Sequence, residues 1–265
     1  MKDKISLAES KSIELEILDY IHEKCKEHGL RYFIAYGTLL GAIRHKGFIP
    51  WDDDVDICMP RPDYEQLLKI IKKENHERFG LLEPGVNGYY NEFAKIIDAR
   101  TYLDQGDCEE TYNGGIWVDI FPLDGIPKNN FFFRWKLNTL YFFKALASFK
   151  KIPQRHRKLK PLLWLPWKFS RLMGWHKILQ MEEKIAKSHK YEDYEFVTYV
   201  LHNSSNNVFF KREMFEDLIE VKFEDRLYLA PKDYDAYLRL SYGEDYMELP
   251  PIEKRFCHSL EAYWR

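Results

Sequence analysis

Near the start of the chain Ile13, Ile17, Leu18, Ile21 and Cys25 recur at three- and four-residue intervals, the apolar stripe of a helix. Ser6 with Glu9 three residues on forms a capping box ahead of it, and His28-Gly29 supplies a stop. The period then changes. Residues 32–36 form a short apolar run that predicts a strand ending at Gly37. Leu39, Leu40, Ala42 and Ile43 follow at helical spacing, up to the basic loop Arg44-His45-Lys46-Gly47. Val55, Ile57 and Met59 then alternate with Asp54, Asp56 and Cys58, as in a strand with one face turned inward. Pro60 closes that strand, and Pro62 suits the first turn of a helix that buries Leu67, Leu68 and Ile71. Further strands are predicted at 79–82, 93–97 and 116–121, with Gly85, Gly88 and Gly114-Gly115 at turns.

The second half reads less evenly. Residues 131–143 and 162–175 suit amphipathic helices, broken by Pro153, Pro161 and Pro166, and 178–187 continues as helix. Strands are expected at 196–201 and 221–229 and a short helix at 231–240, with no internal repeat.

A length of 265 residues with 45% hydrophobic side chains can bury a sizeable core in one domain or two unequal lobes. No apolar run reaches the roughly 18 residues that a membrane span needs, and no apolar stretch follows the opening Met1-Lys2-Asp3-Lys4, so a cytoplasmic protein is expected. Cys25, Cys58, Cys108 and Cys257 are scattered, which predicts free, buried thiols and no zinc or redox pair.

Charge changes the picture of the middle of the chain. The net charge is only −2, yet no carboxylate occurs between Asp124 and Glu182. Thirteen basic residues fall there: Lys128, Arg134, Lys136, Lys144, Lys150, Lys151, Arg155, Arg157, Lys158, Lys160, Lys168, Arg171 and Lys177. Phe131-Phe132-Phe133, Trp135, Phe142-Phe143, Trp164, Trp167 and Trp175 are interleaved with them. Such a mixture suits an anionic membrane surface, where Trp sits at headgroup level and Lys or Arg meets phosphate. Nucleic acid recruits the same residue types, but amphipathic helices are better shaped to lie on a bilayer, and no nucleic-acid partner is expected. The plain alternative is that the aromatics pack on the core and the basic residues are merely solvated.

The candidate chemistry lies at the mouth of the Val55 strand, where Asp52, Asp53, Asp54 and Asp56 put four carboxylates into five positions. Acidic clusters at strand ends are often solvated loops, but these alternate with residues of buried type. Asp54 and Asp56 share one face, where their repulsion costs on the order of 1 kcal/mol or more unless a cation lies between them. Mg²⁺ or Mn²⁺ is the natural guest of such oxygen ligands. Gly37-Thr38 offers bare backbone to a phosphate. Asp119 is a lone charge in a strand otherwise apolar on both faces, and it completes a three-carboxylate site if its strand neighbours the Asp54-Val55-Asp56 strand. Lys254, Arg255 and His258 could reach back to a phosphate from the carboxyl-terminal tail.

The run Tyr36-Gly37-Thr38-Leu39-Leu40-Gly41-Ala42-Ile43-Arg44-His45-Lys46-Gly47-Phe48-Ile49-Pro50-Trp51-Asp52-Asp53-Asp54-Val55-Asp56 resembles the signature of the LicD family of phosphocholine transferases, related to fukutin and fukutin-related protein. The run 117–124 (Trp117-Val118-Asp119-Ile120-Phe121-Pro122-Leu123-Asp124), Tyr242-Gly243 and Leu249-Pro250-Pro251 resemble later blocks of that family, whereas the central basic segment is not covered by these motifs. The resemblance implies an α+β fold: a mixed sheet of the polymerase-β nucleotidyltransferase type flanked by helices, with a basic, aromatic-rich helical insertion. The catalytic core would span 1–125, the basic segment 126–190 and a packing α/β part 191–265. It also implies that Asp54, Asp56 and Asp119 bind metal, with Asp119 either sharing a second metal or accepting the proton of the attacking sugar hydroxyl, and that Gly37 and Thr38 approach a diphosphate. The reaction would carry phosphocholine from CDP-choline to a lipid-linked glycan precursor of lipopolysaccharide or teichoic acid, at the inner face of the cell membrane. Arg44, His45, Lys46 and Lys95 would offer positive charge to the phosphates. A quaternary ammonium group has no hydrogen-bond donor and needs aromatic faces, for which Tyr36, Trp51 and Trp117 are the candidates.

Other donors stay open at this point, since wider relatives move polyol phosphates such as ribitol phosphate, for which hydrogen-bonding side chains would replace the aromatic cage. A nucleotide-sugar glycosyltransferase would need Asp54 and Asp56 but no third strand carboxylate. A non-catalytic module binding a membrane or a glycan precursor would need none of the three.

Overall fold

Ser6 and Glu9 begin the first helix by capping each other: the Ser6 amide donates to Glu9 Oε2 at 2.9 Å and the Glu9 amide to Ser6 Oγ at 3.2 Å. A computed structural model describes residues 3–89, 91–104, 114–127, 131–147, 160–200, 208–255 and 261–265. In it this helix, α1 (Leu7–His28), buries the expected stripe Ile13, Ile17, Leu18, Ile21 and Cys25. Leu15 and Glu14 are buried beside that stripe, and the burial of Glu14 has no counterpart in the sequence pattern. The chain leaves α1 through Gly29 in the left-handed region.

Strand β1 (Phe33–Ile34) is shorter than the predicted 32–36, because helix α2 (Tyr36–Arg44) starts at once, with Tyr36 at a left-handed φ of 44°. After α2 come β2 (Asp56–Pro60), α3 (Arg61–Glu74), β3 (Phe79–Leu82), β4 (Ala94–Asp98), β5 (Thr101–Asp104) and β6 (Trp117–Gly125). Pro62 stands in the first turn of α3 as expected. The central sheet runs β1-β2-β6-β4-β3, with β2 and β6 parallel and the other pairs on this path antiparallel. It is extended to seven strands by β7 (Phe196–Thr198), on the far end of β6, and β8 (Phe210–Lys211). The parallel register sets Asp56 opposite Asp119, and the antiparallel register of β4 sets Lys95 opposite the same Asp119. One ion pair of the sheet's core anchors α3: Arg61, at the start of that helix, grips buried Asp124 with Nε–Oδ1 at 2.7 Å and Nη2–Oδ2 at 2.5 Å.

The single strand expected at 221–229 is a hairpin, β9 (Leu218–Phe223) and β10 (Arg226–Pro231), turned at Glu224 with φ 56°. The expected helix at 231–240 is α6 (Tyr234–Tyr242), displaced because Asp233 caps it by accepting from the Ala236 amide. A last strand, β11 (Glu261–Trp264), pairs with β5 and was not anticipated from the pattern of its residues. Aromatic stacking ties the carboxyl-terminal part to the sheet, with Phe33 on Phe215 at 4.6 Å and Phe210 on Tyr237 at 4.8 Å between ring centres.

The basic segment supplies α4 (Phe131–Ala147) and α5 (Lys160–Lys187). Pro161 and Pro166 do not break it as expected. Pro161 lies in the first turn of α5, where a missing N–H is harmless, and Pro166 lies within the helix. The interruption is at Gly174, whose φ of 74° and ψ of 155° leave the helical region. Lys144, expected on the basic surface, is buried and paired with Glu182 at 3.2 Å and with Glu92. Other parts of α4 and α5 do face outward with apolar side chains: Phe131, Phe132, Trp135, Leu162, Leu165 and Leu172 are exposed. Lys128, Lys150, Lys151, Pro153, Arg155, Arg157, Lys158, Cys108, Cys257 and His258 lie outside the described residues, as do the side chains of Lys160 and Lys254. Cys25 and Cys58 are free and buried, as expected of them.

Candidate active site

The acidic cluster is assembled by backbone pairing. The Asp119 amide donates to the Val55 carbonyl at 2.9 Å, which locks β6 to the residues just ahead of β2. The Ala35 amide donates to the Asp56 carbonyl at 2.9 Å, and the Asp56 amide donates to Thr38 Oγ1 at 2.8 Å, so α2 and β1 hold Asp56 from the other side. Val55, fully buried, anchors the intervening position. As a result one carboxylate oxygen from each of Asp54, Asp56 and Asp119 lies within 4.8 Å of the other two. Asp54 stands ahead of β2, not inside it as the alternation predicts, and it still reaches the same patch.

Three converging carboxylates raise one another's proton affinity. Burial pushes the Asp56 carboxyl well above its ordinary range, Asp54, Asp119 and Asp52 push it further, and Lys95 offsets part of this. Asp119 is also raised by burial, against the pull of Lys95. The donor set fits a hard divalent cation. Two oxygens each about 2.1 Å from a shared Mg²⁺ stand about 3 to 4 Å apart, and the three oxygens here lie within 4.8 Å of one another.

Gly37 and Thr38 serve this cluster directly. A Cβ on Gly37 would meet Asp52 Oδ2 at 2.6 Å, so the bare Cα is what lets that carboxylate approach the first turn of α2. The Thr38 hydroxyl is taken up by the Asp56 amide. Tyr36 is turned into the core: its amide donates to the Tyr237 hydroxyl at 3.3 Å, its ring lies 5.3 Å from that of Phe121, and its phenol adjoins Cys58.

The expected cations divide into two groups. Lys95 Nζ lies 3.0 Å from Asp119 Oδ1 and 3.9 Å from the centre of the Trp117 ring, so it is engaged by a carboxylate and an indole together. The second group surrounds Trp51. The Arg255 guanidinium lies 4.5 Å over the Trp51 ring and the His45 ring meets it edge-on at 6.1 Å. Arg44 donates to the Tyr246 and Glu248 carbonyls at 2.8 and 3.0 Å, tying α2 to the loop after α6. Burial and the neighbouring Arg44 lower the His45 imidazole. Lys46 has a left-handed φ of 64°, and its carbonyl accepts from the Glu224 amide at 2.9 Å, which latches the basic loop to the β9–β10 turn.

Two residues near the cluster escaped the sequence reading. Tyr242 has its phenol raised by burial and then by Asp56, Asp52 and Asp54, which sets it within the field of the carboxylates. The Tyr242-Gly243 block was the available signal. Glu14 is the other, a buried carboxyl that burial, Asp54 and Asp53 push far up, and its place next to an apolar stripe gave no warning.

Comparison with known proteins adds a family to this geometry. The LicD/FKTN/FKRP nucleotidyltransferase domain matches residues 29–173, which includes Asp54, Asp56 and Asp119 and runs into the central basic segment that the quoted motifs do not reach. The chain is 30% identical to the lipopolysaccharide cholinephosphotransferase LicD of Haemophilus influenzae, over 98% of this chain and 98% of that protein. It is also 30% identical to an uncharacterized protein of Rickettsia prowazekii, over 53% of this chain and 50% of the relative. On both the domain match and the full-length similarity, the chain belongs to the LicD/FKTN/FKRP family.

Proposed function

We propose that the protein is a metal-dependent phosphotransferase that moves phosphocholine from CDP-choline to a sugar hydroxyl of a cell-surface glycan precursor, of lipopolysaccharide or teichoic acid, releasing CMP. The observation that carries this reading is the convergence within 4.8 Å of Asp56 and Asp119, paired across parallel β2 and β6, with Asp54 from just ahead of β2. The name of the Haemophilus relative supports the transferred group and the acceptor class. On this reading the sheet is of the polymerase-β nucleotidyltransferase type, with α4 and α5 as its basic helical insertion.

Asp54, Asp56 and Asp119 would hold Mg²⁺ or Mn²⁺, which supplies charge neutralisation to the diphosphate and to the attacking and leaving oxygens. Asp119 is the group that accepts the proton of the sugar hydroxyl, if it is not itself engaged with metal. The sugar oxygen bonds to the choline-bearing phosphorus, the bridging P–O bond breaks, and its electron pair leaves on CMP. Lys95 orients Asp119 and would meet charge on the transferred phosphate, while Arg44, and His45 and Arg255 around Trp51, would favour the nucleotide's phosphate. Lys46 shapes the loop that carries them.

The acceptor is lipid-linked on this reading, and α4 with α5 rests on the anionic membrane surface that contains it. Exposed Phe131, Phe132, Trp135, Leu162, Leu165 and Leu172, with Lys136, Lys168 and Arg171 on the same helices, support this. Among the described residues no helix is long and apolar enough to cross a membrane.

The test is CMP release by purified protein with Mg²⁺, a lipid-linked glycan acceptor and CDP-choline, CDP-ribitol or CDP-glycerol in turn. CMP is expected from CDP-choline, and Asp56→Asn or Asp119→Asn is expected to slow it on the order of a thousandfold. Release only from a polyol donor would reassign the headgroup, and release from none would overturn the transferase reading.

A further inference from the structure

Beside the acidic cluster, between the first turns of α1, the start of β6 and the β5–β11 ladder, lies a cavity of about 260 Å³. Glu14, Asp53, Trp117, Leu103, Ile116 and Ala262 are among the residues that line it. Glu14 is its unusual member. The side chain is only 2% exposed, Oε1 accepts a long bond from Ser10 at 3.4 Å, and Oε2 has no hydrogen-bond partner among the described residues. A buried carboxyl oxygen with no donor is costly in an apolar setting. Asp53, next to Asp54 in the chain, lines the same cavity and puts it beside the cluster. Burial and the nearby charges of Asp54 and Asp53 set the Glu14 carboxyl far above its ordinary range, and a cation in the cavity favours its ionised form.

The chemistry of the walls selects its complement. Glu14, Asp53 and Glu261 outnumber the one cation among the described lining residues, Lys4, which Glu261 holds at 2.5 Å, so the cavity favours a positively charged group over a neutral polyol. A quaternary ammonium group brings positive charge with a surface of methyl groups, which suits carboxylates together with the aromatic ring of Trp117 and the apolar side chains of Leu103, Ile116 and Ala262. Trp117 already takes a cation on its ring, the Lys95 ammonium at 3.9 Å. In choline the nitrogen is separated from the phosphate by one oxygen and two carbons, so a phosphate beside Asp54 and Asp56 leaves the headgroup within reach of a neighbouring cavity.

We propose that this cavity seats the quaternary ammonium group of the donor, with Glu14 as its counter-charge and Trp117 as its aromatic wall. The proposal rests on the phosphocholine reading above and adds the residues that choose choline over a polyol. Of the three aromatic candidates Trp117 lines the cavity, whereas Tyr36 is turned into the core and Trp51 does not border it.

The experiment measures binding of CDP-choline and of its uncharged isostere, CDP-3,3-dimethylbutanol, by calorimetry on the full chain with Mg²⁺, alongside CMP release. Wild type is expected to bind CDP-choline on the order of tenfold tighter than the isostere. Glu14→Gln is expected to erase that preference while leaving the affinity for CMP unchanged and the melting temperature no lower. Should Glu14→Gln fail to fold, Ser10→Phe, which fills the cavity from the flank of α1, gives the same loss. Equal binding of the two donors by a wild type that does release CMP from CDP-choline overturns the proposal and leaves the transferase reading standing. So does a Glu14→Gln variant that keeps the preference. A wild type that binds CMP but turns over only CDP-ribitol or CDP-glycerol overturns both.

Discussion

Single residues in this protein are placed by what they do for a neighbour. Thr38 is the clearest case: its position in the motif suggests phosphate contact, and its hydroxyl instead holds the Asp56 amide at 2.8 Å. Thr38→Val is expected to cost about 1 kcal/mol in urea unfolding and to lower kcat more than it raises KM, because Asp56 loses its alignment. Asp98 offers a test of charge. Burial would raise its carboxyl, but hydrogen bonds from Arg100 and Arg78 prevail and hold it below the ordinary range. A depressed folded-state pKa adds stability that is present above the unfolded value of about 3.9 and is lost as pH falls through the folded one. Asp98→Asn should therefore destabilise by about 1 kcal/mol at pH 7, since both guanidinium groups reach solvent, and by less at about pH 3, as read by chemical unfolding at the two pH values. At this scale the carboxylates were legible from sequence because repulsion among Asp54, Asp56 and Asp119 has few structural uses. Glu14 was not, because one residue's step around a helix separates an exposed position from a buried one, and only the packing of β5 and β11 decides which it is.

At the scale of elements, periodicity served where one face is buried along a whole helix, as in α1 and α3. It failed where a turn needs no special residue. Glu224 takes a left-handed φ between β9 and β10 without glycine or asparagine to mark it, so two strands read as one. It failed also at Tyr36, whose strained start to α2 is set by the Tyr237 hydroxyl and the Phe121 ring, contacts from distant parts of the chain. The helices α4 and α5 were legible as helices, but their partners were not: Lys144 turns inward to Glu182 while Phe131 and Leu172 stay outside, 73% and 86% exposed. Replacing Leu162, Leu165 and Leu172 together with Ser is expected to reduce co-flotation with anionic liposomes without lowering the melting temperature. Flotation unchanged by the triple replacement and insensitive to salt would argue against these helices as the membrane contact.

At the scale of the whole molecule, the site is closed by segments far apart in sequence. β11 pairs with β5, the Ile5 amide donates to the Ala262 carbonyl at 2.8 Å, and the cavity beside Glu14 is lined from both. Deleting residues 261–265 is expected to lower the melting temperature and to raise KM for the donor, measured by calorimetry and by CMP release. A truncated chain with unchanged KM would separate β11 from the site.

The level pairing of Asp56 with Asp119 has one more outcome. Slipping β6 by a single position against β2 would turn Asp119 to the opposite surface of the sheet. An incompletely formed chain therefore carries no acidic trio at all, and competence for chemistry arrives in one step with the closing of that seam.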